Sequence, residues 1–231
     1  MAERNEKEKP PPATVYRTLR QVEDLLCFLE EEGSTPETKD LFKRMYGPGS
    51  LLWQKRQVLK TSLLVRKQWK SLPEAYFAPL MRLAVYEPDP GLNREFIEPA
   101  LRAFGYRRVQ EALLDYLEQG MLREKAGAAR ACYWAWLPIV LSPNPGYKEF
   151  RRICDEGLWA RRDILLLKTF VENEDLDVRR SIISHLSLRP SDYPEAYRPL
   201  IPTAIHLART HPDESIRRKV EIMLQRQHLD I

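Results

Sequence analysis

Apolar residues recur at helical spacing along almost the whole chain, and nowhere do they alternate for the five or six residues that a half-buried strand needs. A chain patterned in this way can bury its apolar side chains only by packing helix against helix. The expectation is an all-α protein with negligible strand content.

Punctuation between the stripes sets the helices. Val15, Leu19, Val22, Leu26 and Leu29 form one stripe that stops at Gly33, and Ser34-Thr35-Pro36 starts a short helix reaching about Tyr46. After Gly47 and Pro48 a long helix runs from about Ser50 to Lys70. Pro73 opens the next, which carries Tyr76, Leu80 and Leu83. Phe96, Ile97, Ala100, Leu101 and Phe104 mark a helix closed by Gly105, and Val109, Leu113, Tyr116 and Leu117 mark one closed by Gly120. Leu122, Ala126, Ala129, Tyr133 and Trp136 keep one face apolar until Leu137 and Pro138 end the helix. Pro143, Pro145 and Gly146 read as a loop before a short helix at Phe150 to Cys154.

A repeat then emerges. Asp175-Leu176-Asp177-Val178-Arg179-Arg180 leads a helix with Val178, Ile182 and Leu186 inward. Asp213-Glu214-Ser215-Ile216-Arg217-Arg218 leads another with Ile216, Val220 and Leu224 inward. Val178 and Ile216 are 38 residues apart, and so are Leu122 and Ala160, the latter opening the stripe Ala160, Ile164, Leu167 and Val171. A period near 40 holding two helices is the mark of an α-solenoid.

The segment from Arg198 through Leu200-Ile201-Pro202 to His211-Pro212-Asp213-Glu214-Ser215-Ile216-Arg217 resembles a HEAT repeat. It has a first helix with proline after apolar residues, a Pro-Asp turn, and an apolar-Arg opening to the second helix. Val171 to Arg179 is similar at the turn, and Leu117-Glu118-Gln119-Gly120-Met121-Leu122-Arg123 is a looser third copy. The resemblance covers residues 92–231 and implies a right-handed α-α superhelix, a HEAT-like repeat solenoid of antiparallel helix pairs. The organisation that follows is a disordered tail over 1–12, where alternating charges precede Pro10-Pro11-Pro12, and one helical-repeat domain over 13–231. Within it 13–91 hold N-terminal helices and 92–231 hold HEAT-like repeats.

Composition narrows the function. The chain is 43% hydrophobic and 30% charged, as ordinary globular proteins are. No stretch approaches the ~18 apolar residues of a membrane span, and no secretory apolar run opens the chain. Cys27, Cys132 and Cys154 are odd in number and each lies in a helical pattern, as reduced thiols do, so a cytoplasmic location is expected. His185, His206, His211 and His228 are not spaced with cysteine or carboxylate as zinc ligands are, and no metal or other cofactor is expected. There is no phosphate-binding glycine loop, no nucleophile elbow and no histidine beside a plausible nucleophile, so the chain reads as non-enzymatic.

Two kinds of partner remain. From Leu41 to Pro73 the chain holds Lys43, Arg44, Lys55, Arg56, Lys60, Arg66, Lys67 and Lys70 and no acid, an excess of eight that exceeds the whole chain's net +4. On the long helix, Lys55, Arg56, Lys60, Arg66, Lys67 and Lys70 fall within an arc of ~140° with Trp53 near its edge, and could grip phosphates or an acidic surface. The other candidate is a protein partner on the concave surface lined by second helices. Trp134, pointing away from Tyr133 and Trp136, is an anchor candidate there.

Arg162 is a second partner-binding candidate, because Leu158-Trp159-Ala160-Arg161-Arg162-Asp163-Ile164-Leu165 is similar to a segment of the HEAT-like alkylpurine DNA glycosylases. In that family an arginine at this place contacts DNA, and an aspartate on the preceding helix follows paired tryptophans. Here no acid stands between Ala126 and Lys148, and the catalytic group is missing. Five double arginines, Arg107-Arg108, Arg151-Arg152, Arg161-Arg162, Arg179-Arg180 and Arg217-Arg218, read as structural. In HEAT-like proteins the first arginine after the turn pairs with an acid, and Asp175, Asp177 and Asp213 are placed for it. The scaffold with a protein partner is the leading expectation, and nucleic acid on the basic flank the alternative.

Overall fold

A computed structural model describes residues 72–87, 89–141 and 156–229. The expected tail, the helices before Lys70, the whole basic flank, the Phe150 to Cys154 helix and Arg151-Arg152 lie outside them. Among the described residues there are eight α-helices, three short 3-10 turns and no strand, so the chain is all-α with packed helix pairs. It divides into two compact units, Met1–Gly105 and Tyr106–Ile231.

In the first unit a 3-10 turn at Glu74–Tyr76 leads into α1 (Phe77–Tyr86), and α2 (Pro90–Phe104) folds back against it. Proline at the first helical position costs no hydrogen bond there, and the Asp89 carboxylate caps the helix by accepting from Gly91 N at 2.8 Å. Leu80, Leu83 and Ala84 of α1 and Phe96, Ile97, Ala100 and Leu101 of α2 are buried. The helices are also tied by polar groups, because buried Asn93 donates to the carbonyls of Ala84 and Glu87. Those carbonyls lack helical partners at the end of α1. Gly105 closes α2 at φ 85° and ψ 157°, a region open to glycine alone.

Among its described residues the second unit shows three pairs, α3 (Tyr106–Gln119) with α4 (Leu122–Leu141), α5 (Glu156–Glu172) with α6 (Leu176–Ile183), and α7 (Leu200–Arg209) with α8 (Glu214–Leu229). First helices pack on first helices, α3 on α5 and α5 on α7, and second helices on second helices, α4 on α6 and α6 on α8. The core lies between these two rows. Val109, Leu113, Leu114 and Leu117 face it from α3, Leu165, Leu166 and Phe170 from α5, Val178 and Ile182 from α6, and Ile216 and Val220 from α8. Burial of side chains this size contributes about 1.5–3 kcal/mol each.

The turns explain the pairing. Asp175 accepts from Val178 N at 2.9 Å and Asp213 from Ile216 N at 3.1 Å, so the two residues 38 apart do the same N-capping work. Glu124 reaches back to Met121 N at 2.9 Å at the start of α4, and Lys125 Nζ donates to the last carbonyls of α3 at Leu117 and Glu118.

Three expectations are corrected. The helix of Leu122 passes through Pro138 to Leu141, since one missing N–H does not break a helix whose other bonds hold. The stripe drawn along α4 is core only in its middle and at Trp136: Ala126, Ala129 and Trp136 are buried, while Leu122 and Tyr133 are exposed. Helix α4 instead buries Ala126, Ala128, Ala129, Ala131, Cys132 and Ala135 nearly all round, because it is packed by both α3 and α6 and small residues let them approach. Finally, the spacing of 38 between Leu122 and Ala160 joins a second helix to a first helix. Only the spacing between Val178 and Ile216 relates equivalent positions.

Candidate partner-binding face

Every large apolar side chain markedly exposed among the described residues belongs to the row of second helices or to its first turn. They are Met121 (66%), Leu122 (51%), Tyr133 (45%), Leu176 (41%) and Ile222 (39%). Helical phase explains why. Leu176 and Ile222 lie on the sides of α6 and α8 turned away from Val178, Ile182, Ile216 and Val220, which face the first helices. Tyr133 stands on α4 in the same row, its ring 5.9 Å from His185 beyond the end of α6 and edge-on to Trp134 at 4.9 Å.

Of the residues expected to bind a partner, Lys55, Arg56, Lys60, Arg66, Lys67 and Lys70 lie outside the described residues. Trp134 is half-buried, and the more exposed aromatic is its neighbour Tyr133. The sequence pattern sets Tyr133 and Trp136 on one face. The 60° between residues three apart on a helix is enough to put Trp136 in the core and Tyr133 at the surface. Neither Leu176 nor Ile222 stands out in the sequence; their helical phase relative to Val178 and Ile216 is the signal by which they could have been found.

Two ion pairs join successive helices of this row. Arg130 of α4 donates to Asp177 at 3.1 Å and to Ser181 at 3.0 Å in the first turns of α6. Arg180 of α6 donates through Nε and Nη2 to Asp213, the N-cap of α8. That pairing, a hydrogen bond from Ser215 and burial opposing them leave the Asp213 carboxyl well below its usual range, the Arg180 contact being the largest cause. In the row of first helices, Arg161 of α5 likewise meets Asp115 at 2.9 Å and Glu118 at 2.7 Å on α3.

The leading arginine of each turn does something else. Arg179 is buried, donates to Phe170 O at 3.3 Å and stacks over the Phe170 ring, and Arg217 donates to the carbonyls of His211 and Pro212. It therefore serves backbone carbonyls at the turn, and the acid expected for it goes to the second arginine. The end of a first helix leaves carbonyls orphaned, and a long planar donor starting the second helix can reach them.

Arg162 sits inside the unit. Its guanidinium carbon is 4.4 Å from the Trp159 ring centroid and 5.5 Å from that of Trp136, and Nε and Nη2 both donate to Asp163 Oδ1 at 2.9 and 2.6 Å. Only 18% and 14% of the Arg162 and Asp163 side chains are exposed. Burial pushes the Asp163 carboxyl up, against the pull of Arg162, and burial pushes the His185 imidazole down to about 4 with Arg162 and Lys219 adding to it. The Tyr193 phenol is raised by burial and by Asp163, and donates to Ser187 O at 2.7 Å. This cluster joins α4, α5 and the segment after α6. Its arginine already fills the aromatic cage that a ligand would need.

Among the described residues no group of three or more His, Cys, Asp or Glu gathers where a metal could be held, and no helix is long and apolar enough to cross a membrane. Comparison with family models, with curated proteins and with solved structures returns no match.

Proposed function

We propose that this chain is a non-enzymatic, cytoplasmic protein-binding scaffold, a HEAT-like right-handed solenoid whose second helices form the binding surface. The observation that carries the reading is the confinement of the exposed large apolar side chains, Tyr133, Leu176 and Ile222 among them, to one of the two helix rows. Exposed apolar groups concentrated on one face mark interaction surfaces, whereas scattered ones carry no message. The stacking of first helices on first and second on second supports the solenoid, and the free buried thiol of Cys132 is in keeping with a reducing compartment.

Site-specific photocrosslinking tests it. A benzophenone side chain at Tyr133 or Leu176 of the full chain, irradiated in cells, gives a discrete protein adduct, while the same group at Thr203 or His206, exposed on the first-helix row, gives none. Adducts from both rows alike, none from Tyr133 or Leu176, or adducts that nuclease removes would sink the reading. The last outcome would favour nucleic acid on the flank from Lys43 to Lys70.

A further inference from the structure

Three of the turns that join a first helix to a second are built from the same bonds, and one of them lies in the first unit. Asp89, Asp175 and Asp213 each stand immediately before a second helix and cap it. Two residues before each aspartate, a side chain accepts from that aspartate's own N–H: Glu87 at 3.0 Å, Asn173 at 2.9 Å and His211 at 3.0 Å. At the fourth position of the helix that follows, a side chain donates back to carbonyls at the end of the first helix. Asn93 reaches those of Ala84 and Glu87, Arg179 that of Phe170, and Arg217 those of His211 and Pro212. In α4, which has no aspartate before it, Lys125 holds the fourth position and makes the same kind of contact.

The approach to the first helix recurs as well. Pro73-Glu74-Ala75-Tyr76 and Pro194-Glu195-Ala196-Tyr197 are identical, and each makes a 3-10 turn after a proline at φ −54° with ψ 143° in one and 148° in the other. The tyrosine N–H donates to the proline carbonyl at 2.9 Å and 3.0 Å respectively. The α-helix that follows has proline as its third residue, Pro79 in α1 and Pro202 in α7. Any one of these features is common at helix ends. Their recurrence together and in one order relates the two helix pairs.

From this we infer that α1 and α2 form a repeat of the same kind as α7 and α8, so that the HEAT-like series takes in α1 and the whole of α2, where the sequence resemblance enters only at residue 92. The inference rests on the solenoid reading, and it separates what the repeats share from what they do not. At the ninth position of the second helix, where α8 has the exposed Ile222, α2 has Glu98, bonded to Arg94 at 2.6 Å. The first-unit repeat has the frame of the series without that exposed apolar group.

Grafting tests this in the full chain, with hydrogen exchange over α1 and α2 as the readout. Residues 87–93 are replaced by the sequence of residues 211–217, which keeps Pro88 and Asp89 and amounts to Glu87→His, Pro90→Glu, Gly91→Ser, Leu92→Ile and Asn93→Arg. The graft is expected to keep the protection of both helices within about tenfold of the wild-type chain, whereas the same residues inserted in reverse order abolish it. Asn93→Ala, which takes the donor from two carbonyls, quickens exchange of both helices about tenfold or more. Should arginine prove too large for the place of Asn93, a second graft that retains Asn93 must keep the protection. Loss of protection in both grafts, equal to that of the reversed one, or exchange unchanged by Asn93→Ala would overturn the inference. Crosslinks from Tyr133 and Leu176 that persist alongside that loss would leave the scaffold standing without this repeat. Their absence from the wild-type chain would remove the partner-binding reading and leave the repeat.

Discussion

The guanidinium carbon of Arg162 lies 4.4 Å from the centre of the Trp159 ring while two of its nitrogens hold Asp163. A cation stacked in a place shielded from water gains about 2 kcal/mol from the ring, and removing one member of a buried pair strands the other charge. Arg162→Ala is therefore expected to destabilise the chain by about 2–4 kcal/mol in urea unfolding. Asp163→Asn is milder, because it keeps an acceptor and leaves a cation that still has its ring. Equal stability of Arg162→Ala and wild type would show that the cluster holds nothing together.

Val178 and Ile216 open α6 and α8 with no exposed surface. Placing a carboxylate there buries a charge with no partner, so Val178→Asp and Ile216→Asp should each cost at least about 3 kcal/mol and melt the last two helix pairs. Circular dichroism through a thermal ramp reads the loss. An unchanged curve for either variant would mean that its side chain does not face the first helices.

The sequence showed helix existence and the closing turns well, because apolar spacing, Gly105, Gly120, Asp175 and Asp213 act locally. It misled where a decision depends on neighbours distant in the chain. Tyr133 and Leu122 were placed inward by spacing alone, yet α4 is packed by two helices and its alanines take the contact. Pro138 read as a stop though the helix continues to Leu141. Residues Leu122 and Ala160 matched in spacing without matching in structure, since the second helix α4 is longer than α6 and shifts the count. The binding face was legible only as the general expectation that second helices carry it. The pairing of Arg130 with Asp177, 47 residues on, has no local signature at all.

Cys132 lies buried in α4 among alanines, and burial pushes its thiol up to about 12, with Arg162 pulling weakly the other way. Reactivity follows the thiolate, so this residue is expected to be inert in the folded chain. In a variant whose other two cysteines are serine, a disulfide reagent at pH 8 should label Cys132 only as fast as the chain unfolds, and at once in denaturant. Prompt labelling under native conditions would show that α4 opens locally.

His185 couples the face to pH. Its ring lies 5.9 Å from that of Tyr133, and burial, then the charges of Arg162 and Lys219, lower its imidazole from 6.5 to about 4. Below its ordinary value the unfolded chain takes up a proton that the folded chain refuses, so the unfolded state binds more protons between pH 6.5 and about 4. Stability therefore falls as pH drops through that window and is unaffected by this group above it. The loss is on the order of 1–3 kcal/mol for a shift of this size at a partly buried site. Asp213, whose carboxyl is held low, loses its own contribution only as pH falls through and below the ordinary carboxylate range, so the two groups separate on the pH axis. Replacing His185 with Gln removes the first dependence and leaves the second. Urea unfolding at pH 7 and pH 5 should show a drop for the wild-type chain that is much smaller in His185→Gln, and the same drop in both would place the pH sensitivity elsewhere.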